Sequence, residues 1–526
     1  MLDVVASALK RLGPVLSTVL VAELVRLGLT PANARQKVSR STSIKKLAYL
    51  PFRRNARFVY LADDYGSPDF WSALTKALIE HTSGYGGALA SLMARGGIMP
   101  VAHFAIACGA PIRQKKHLAA STILERLTKA ELTKVYDVPG VGQCVELAQQ
   151  TLADTSTVAK LRARLRTEEI LLAAVRDWLR NLGLVSFGAV DIRDESSAQP
   201  RVGTFNWDLT APSYLPAFTS LENKSTLKPG FVACDVLTGI NVSVEALEPF
   251  LNKCKTLRAL PKVGRCLQIL VADGYTKDAF QRAKNEGIVP ATIETLFGTD
   301  VAAALRELTS LLADTYHRPD TFAKVDEVFK RLTHIEGAAL NLRGTLFEFL
   351  AAETVRLGTG LATIRLNEQL RHVDGRGIEV DVLAVRHDHD VTFIECKGYK
   401  PGGLVPDEAV DRWLDDRIHL LNSIADEERF WRNCRRVFEY WTTGRLSPEA
   451  QEKFARAAQT KKYDVVLVDS DEVQRRVNAT NNAALKRTLK QHFREHPLEA
   501  AEAAAKRSMR RLPIPQLAQL RKRGAD

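Results

Sequence analysis

The chain has 526 residues, with 74 Lys and Arg against 61 Asp and Glu, a formal net charge of +13. It is too long for one ordinary core, and three or four domains are expected. Its 45% hydrophobic and 26% charged residues are those of a soluble globular protein. No run of eighteen apolar residues and no cleavable signal peptide is read in it, so neither a membrane partner nor secretion is expected. The seven cysteines are scattered without a CxxC pair, which argues for a reducing, cytoplasmic setting and against a zinc cluster or disulfide framework.

Residues 2–11 and 14–27 have the spacing of amphipathic helices. Thr30-Pro31 then offers an N-cap and a first-turn proline for a third helix, PANARQKVSRS. Two strand-like runs follow, IKKLAYLPF and RFVYLAD, joined by the basic turn Arg53-Arg54-Asn55. Three short helices and a basic hairpin make a winged helix-turn-helix pattern over residues 1–66. In it, Arg35, Lys37 and Arg40 of the third helix would enter the major groove of double-stranded DNA, with Arg53 and Arg54 on phosphates. The same pattern can serve protein contacts, and the positive charge favours DNA.

Residues 67–155 read as a second, mostly helical domain that can form another winged helix, with helices near 68–81, 86–95 and 118–134. Val138-Pro139-Gly140-Val141-Gly142 reads as a turn before a further short helix. Residues 156–312 alternate helix and strand: a long helix (157–182) containing Glu168 and Glu169, then LVSFGAVDI, TFNWDLTA and GFVACDVL. A helix (243–257), CLQILVAD, a helix (276–285) and a short strand near Ile288 complete the order.

The densest chemistry lies in IEVDVLAVRHDHDVTFIECKG, residues 378–398. Ile378 to Val385 alternate as a half-buried strand does, a polar run turns the chain, and Val391 begins a second strand. Glu395 and Lys397, two apart, share a strand face, so antiparallel pairing brings Asp381 beside both. Two carboxylates close together repel one another, and a hard divalent cation removes the conflict. Upstream, the helix GTLFEFLAAETVRLG places Glu348 beside an apolar face. Downstream come the basic turn Tyr399-Lys400-Pro401-Gly402-Gly403 and helices over 406–427 and 448–459. A stretch from Trp431 to Trp441 mixes basic and aromatic residues, and the apolar run YDVVLVD closes the sheet.

Asp381, the triplet Glu395-Cys396-Lys397 and Glu348 in this helix–three strands–helix–strand order resemble the PD-(D/E)xK nuclease superfamily, of the Holliday-junction resolvase and Mrr-like restriction endonuclease type, over residues 335–495. The resemblance implies a multidomain α+β and α/β protein: N-terminal winged helix-turn-helix modules, a degenerate restriction-endonuclease-like α/β domain (156–312), a C-terminal restriction-endonuclease-like α/β domain with a mixed sheet, and a basic helical tail (496–526). In the degenerate copy Asp208 falls where Asp381 does, and Ala233-Cys234-Asp235 stands where Glu395-Cys396-Lys397 stands. The carboxylate is then missing and the lysine replaced.

What the resemblance implies chemically is a metal-dependent DNA endonuclease acting in restriction, phage defence or DNA processing. Asp381, Glu395 and the Cys396 backbone carbonyl would hold Mg²⁺ or Mn²⁺, Lys397 would position the attacking water, and Glu348 would be an outer ligand. Lys400 would hold the DNA backbone, and products would carry a 5′-phosphate and a 3′-hydroxyl. A duplex break takes two active sites, which points to a homodimer. The alternative is a DNA-binding regulator or recombination subunit whose nuclease fold only clamps DNA. The presence of all four residues in one copy argues against it.

Overall fold

The computed structural model describes residues 4–494, apart from residues 51, 53–54, 82, 116, 149–154, 187, 194–198, 223–225, 262, 317, 319, 333–338, 361 and 387–388. Arg53, Arg54 and the expected basic tail thus lie outside the described residues. The chain forms two compact bodies: Met1–Ala313 with Arg331–Ala338, and Asp314–Lys330 with Ala339–Asp526. Both are mixed α and β. No helix among the described residues is long and apolar enough to cross a membrane.

The first body begins with α1 (Val4–Leu12), β1 (Val15–Leu16), α2 (Ser17–Arg26), α3 (Pro31–Arg40), β2 (Lys45–Lys46) and β3 (Phe58–Tyr60), the strands ordered β1-β3-β2. Residues 14–16, expected to open a helix, form a short strand instead. Gly13 takes φ +73° and ends α1, and Leu16 then pairs with Phe58. The N-cap of α3 forms as its sequence requires, the Thr30 hydroxyl accepting the Asn33 N–H at 3.3 Å. Only Ala34 and Val38 of α3 are buried, so Arg35, Lys37 and Arg40 are exposed.

This order of elements then recurs. After α4 (Pro68–His81) come α5 (Ser83–Met93), β4 (Ile98–Pro100), α6 (Val101–Ala107), α7 (Ala120–Lys129), β5 (Thr133–Val138) and β6 (Gly142–Leu147), with strand order β4-β6-β5. Two expectations fail here. The helix expected to reach 134 stops at Lys129, because Glu131 takes φ +58° and the β-favouring run TKVYDV leaves as a strand. The turn at 138–142 leads into β6 rather than a helix; Val135 pairs with Val145 across a hairpin.

The rest of the first body is built on α8 (Thr155–Asn181) and a five-stranded sheet. Its chain order is β7 (Asp191–Ile192), β8 (Arg201–Val202), β9 (Phe205–Asn206), β10 (Leu209–Ser213), β11 (Ser220–Glu222), β12 (Thr226–Lys228), β13 (Gly230–Val242), α9 (Val244–Arg258), β14 (Cys266–Tyr275), α10 (Lys277–Asn285), β15 (Val289–Thr292), α11 (Ile293–Phe297) and α12 (Thr299–Ala313). The sheet runs β15-β14-β13-β10-β7; β10 is antiparallel to β7 and β13, and β13, β14 and β15 are parallel.

The second body holds α13 (Thr321–Leu332, its last two residues excepted), α14 (Ala339–Thr359), β16 (Thr363–Arg371), β17 (Gly377–Arg386) and β18 (Asp390–Lys397). A helix follows, made of α15 (Asp407–Asp411), a π-helical turn over Arg412–Arg417 and α16 (Ile418–Glu427). Then come β19 (Arg435–Thr442), α17 (Pro448–Ala457), β20 (Asp464–Val468), α18 (Ser470–Ala479) and α19 (Ala483–Leu489). The sheet order β16-β17-β18-β19-β20, with antiparallel, antiparallel, parallel and parallel neighbours, repeats the first body's sheet strand for strand. The basic aromatic stretch near 431–441 contains β19, a strand hydrogen-bonded on both sides, and Tyr440 and Trp441 are fully buried core. A strand flanked by parallel neighbours is covered on both faces, so it lacks the alternation that marks a half-exposed strand.

Helix α14 is held close to the end of β18 by a missing side chain. A Cβ at Gly398 would stand 2.7 Å from the Phe347 Cβ and 3.1 Å from the Arg343 carbonyl. Gly398→Ala is therefore expected to destabilise the second body by about 1–3 kcal/mol, the range for overpacking a filled site. A thermal melt of the variant against the parent chain measures it, and an unchanged midpoint would contradict the close approach.

Candidate active site

The β17–β18 ladder runs from Arg386↔Asp390 to Val382↔Ile394 and stops. One residue further the strands part, and the Asp381 carboxylate takes the place of a backbone carbonyl: its Oδ2 accepts the Cys396 N–H at 2.7 Å. Directly opposite residues share a face, so Asp381, Glu395 and Lys397 lie on one side of the sheet. Lys397 Nζ reaches Glu395 Oε1 at 2.7 Å, and 34% of the lysine side chain is exposed against 8% of the glutamate. The structure brings these three sequence-predicted residues together.

Two residues that the sequence did not single out complete the cluster. Arg417 Nη2 lies 3.0 Å from Glu395 Oε2 and donates to the Glu379 carbonyl at 2.5 Å. It ends the π-helical turn, a distortion frequent at functional sites, and its guanidinium sits 6.0 Å from the Trp413 ring centre. Tyr440, opposite Glu395 in the β18–β19 register, is fully buried and its hydroxyl has no hydrogen-bond partner. The signal the sequence offers for Arg417 is Trp413 four residues before it, on one face of the helix after the triplet.

Glu348 lies on α14 next to Phe347. Its charge raises the Asp381 carboxyl and the Cys396 thiol alongside the stronger effects of burial. Asp381 is held well above the usual carboxylate range, by burial first and the Glu395 charge second, while Lys397 opposes both. The Lys397 ammonium is correspondingly pushed up: the two carboxylates outweigh its desolvation. Cys396 is buried and its thiol raised, which removes it as a nucleophile. Its carbonyl belongs to the strand segment between Glu395 and Lys397. Lys400 is exposed in the turn after β18, its carbonyl accepting the Gly403 N–H at 2.9 Å.

Among the described residues no three His, Cys, Asp or Glu side chains converge in a metal-holding group. Mg²⁺ keeps several waters and needs only one or two protein carboxylates, so Asp381 and Glu395 are enough. One further feature fits such an ion. Glu395 Oε2 is buried without a hydrogen bond and has only the Arg417 guanidinium beside it as counter-charge. The Arg417 cation already meets this oxygen, so a metal ion bound there would share it with the guanidinium.

The first body contains the same backbone geometry with different chemistry. The β10–β13 ladder ends at Leu209↔Cys234, and beyond it Asp208 Oδ2 accepts the Val236 N–H at 2.7 Å. Asp235, not Ala233, therefore stands in the place of Glu395, and Leu237 stands in that of Lys397. The correspondence read from the sequence is two residues out of register, and the carboxylate expected to be missing is present. Both runs are apolar and strand-like, and only the pairing partner sets which residue faces Asp208.

Here the carboxylates are paired with internal cations. Arg193 reaches Asp208 Oδ1 at 2.6 Å and Glu168 Oε2 at 2.5 Å; Lys253 of α9 reaches Asp235 Oδ2 at 2.6 Å. The five side chains are between 1% and 5% exposed. Burial and the Asp208 charge push the Asp235 carboxyl up to about 6 against the pull of Lys253. A guanidinium and an ammonium thus stand where a cation would, with no room for substrate. Removing one partner of a buried ion pair costs about 3–5 kcal/mol. Arg193→Met, which strands Glu168 and Asp208, is expected to lower the stability of the first body by about that amount, read in a urea melt; a loss below about 1 kcal/mol would refute the plug.

No protein-family model matches the chain, and no curated protein matches it.

Proposed function

We propose that the second body is a Mg²⁺- or Mn²⁺-dependent endodeoxyribonuclease of the PD-(D/E)xK kind. The observation that carries this reading is the contrast between two topologically identical sheets. One has its acidic cluster buried under Arg193 and Lys253; the other keeps Lys397 34% exposed beside Glu395, whose second oxygen is met by the Arg417 guanidinium alone. Asp381, Glu395 and the Cys396 carbonyl would hold the ion, which when bound supplies neutralising charge at the phosphate and a more acidic water.

The chain's own groups would do the rest. Lys397, fixed by Glu395, would donate to the attacking water and set its line to the phosphorus. Water adds to phosphorus as the bond to the 3′ oxygen breaks, leaving a 5′-phosphate and, after protonation, a 3′-hydroxyl. Arg417 would donate to a non-bridging phosphate oxygen as charge builds there. Glu348 would orient water from the α14 side. Two chains would be needed for a double-strand break, one site per strand.

The element order of residues 4–60, helix–strand–helix–helix–strand–strand with strands ordered β1-β3-β2, supports a winged helix-turn-helix that holds double-stranded DNA through Arg35, Lys37 and Arg40. The recurrence over residues 83–147 supports a second such module. The sealed core of the first body would serve as scaffold, which confines the DNA-clamp reading to that body.

Incubated with plasmid DNA and Mg²⁺, the chain is expected to nick or break it, and EDTA should stop the reaction. Asp381→Ala and Lys397→Ala should abolish cleavage while duplex affinity in a filter-binding assay stays within about twofold. Cleavage by both variants at the parent rate would remove the site. Arg417→Ala is expected to slow cleavage by about 10²–10³-fold, the effect of losing one oriented donor. Replacing Arg35, Lys37 and Arg40 together by Ala should reduce the slope of log affinity against log salt by about 2–3, since each phosphate a cation neutralises adds about 0.9 to it. An unchanged slope would take α3 out of the interface.

A further inference from the structure

Beside the sealed core, the first body carries an open cavity of about 710 Å³ between α8, α12 and the ends of β13 and β14. Its size falls within the ~300–1,000 Å³ of small-molecule sites. The β13–β14 register shifts between Leu237 and Asn241. Gly239 there takes φ +83° and sends its N–H to Asp273 Oδ2 at 2.6 Å, so the strand bulges at the cavity wall.

Four cations line this cavity: Arg95, Lys160, Arg164 and Arg306. Asp273 is the one carboxylate in the lining, and it is already engaged. Arg95 is 8% exposed and donates only to main-chain carbonyls, those of Ser91 and Val236. Arg164 donates to the carbonyls of Arg95 and Ile98, while its buried Nε lacks a hydrogen bond. Its nearest carboxylate, Glu168 at 3.8 Å, is already bound to Arg193 and Thr238. Among the described residues Arg95, Lys160 and Arg306 have no carboxylate partner. Buried guanidinium groups without counter-charge are costly. Burial, against the pull of Glu168 and with Arg95 and Arg193 adding to it, lowers the Arg164 guanidinium to about 10.

The remaining wall is suited to the other half of a ligand. Ile240, Ile293 and Leu305 give an apolar surface, and Thr167 and Thr309 present hydroxyls 2.8 Å apart. We propose that this cavity binds a free nucleotide, its phosphate against Arg95, Arg164, Lys160 and Arg306 and its base against the apolar wall. The claim does not depend on the nuclease reading, since no residue of the second body takes part.

Calorimetric titration of the full chain with AMP, GMP, CMP and UMP, without divalent cation, tests it. At least one nucleotide is expected to bind once per chain, with the matching nucleoside at least tenfold weaker. Lys160 and Arg306 are exposed, so Lys160→Glu with Arg306→Glu should leave the melting temperature unchanged and weaken nucleotide binding at least tenfold. Ser310→Trp, from the exposed lining, should block the cavity to the same extent. The proposal is overturned if none of the four nucleotides binds at millimolar concentration. It is overturned equally if the charge-reversed and blocked variants bind like the parent chain. A third refuting outcome is that the charge reversal weakens a short DNA duplex and not the nucleotide, which would make this face part of a nucleic-acid surface.

Discussion

A carboxylate that replaces a backbone carbonyl where two antiparallel strands diverge is the constraint on which both α/β cores depend. Asp381 accepts from Cys396, and Asp208 from Val236, each at 2.7 Å. The divergence would otherwise leave a buried N–H unpaired. Filling it with an aspartate fixes a negative charge inside a largely apolar sheet, and the next acidic residue on the partner strand, Glu395 or Asp235, then adds a second. Everything around each site answers that concentration of charge.

The two cores answer it differently. In the first body the answer is permanent: Arg193 and Lys253 hold three carboxylates, with Arg164 also 3.8 Å from Glu168, and the position equivalent to Lys397 is a buried leucine, Leu237. Such a network is stable while all its members are present and offers nothing to a substrate. In the second body the answer is incomplete. Lys397 and Arg417 each meet one Glu395 oxygen, the lysine remains partly in solvent, and the Asp381 carboxyl is raised by burial first and by the Glu395 charge second.

Further cations line the cavity beside the sealed core. Arg193 takes the close contact with Glu168, which leaves Arg164 a longer 3.8 Å pairing to that carboxylate and Arg95 with carbonyl partners. The cavity beside them thus follows from how the plug distributes its ion pairs. A core whose cation is built from its own side chains needs none from outside, and the neighbouring arginines are left with capacity for an anion.

Local pattern was enough for much of the architecture. The alternation of Ile378 to Val385, the polar turn after it and the two-residue spacing of Glu395 and Lys397 determined a hairpin with its charges on one face, because side chains of a strand alternate with period two. Thr30-Pro31 determined the start of α3, and the helix–strand order of 156–312 determined a core like that of 339–494. Local pattern could not find β19, which is buried on both faces and so does not alternate, nor end the helix at Lys129 where Glu131 turns left-handed. It could not place Arg417 on Glu395, or show that Asp235 rather than Ala233 faces Asp208. Those depend on which strand pairs with which residue and on helices brought from far along the chain. Pairing register and long-range packing are set by the assembled sheet, and a one-dimensional pattern of residue types carries no information about its partner.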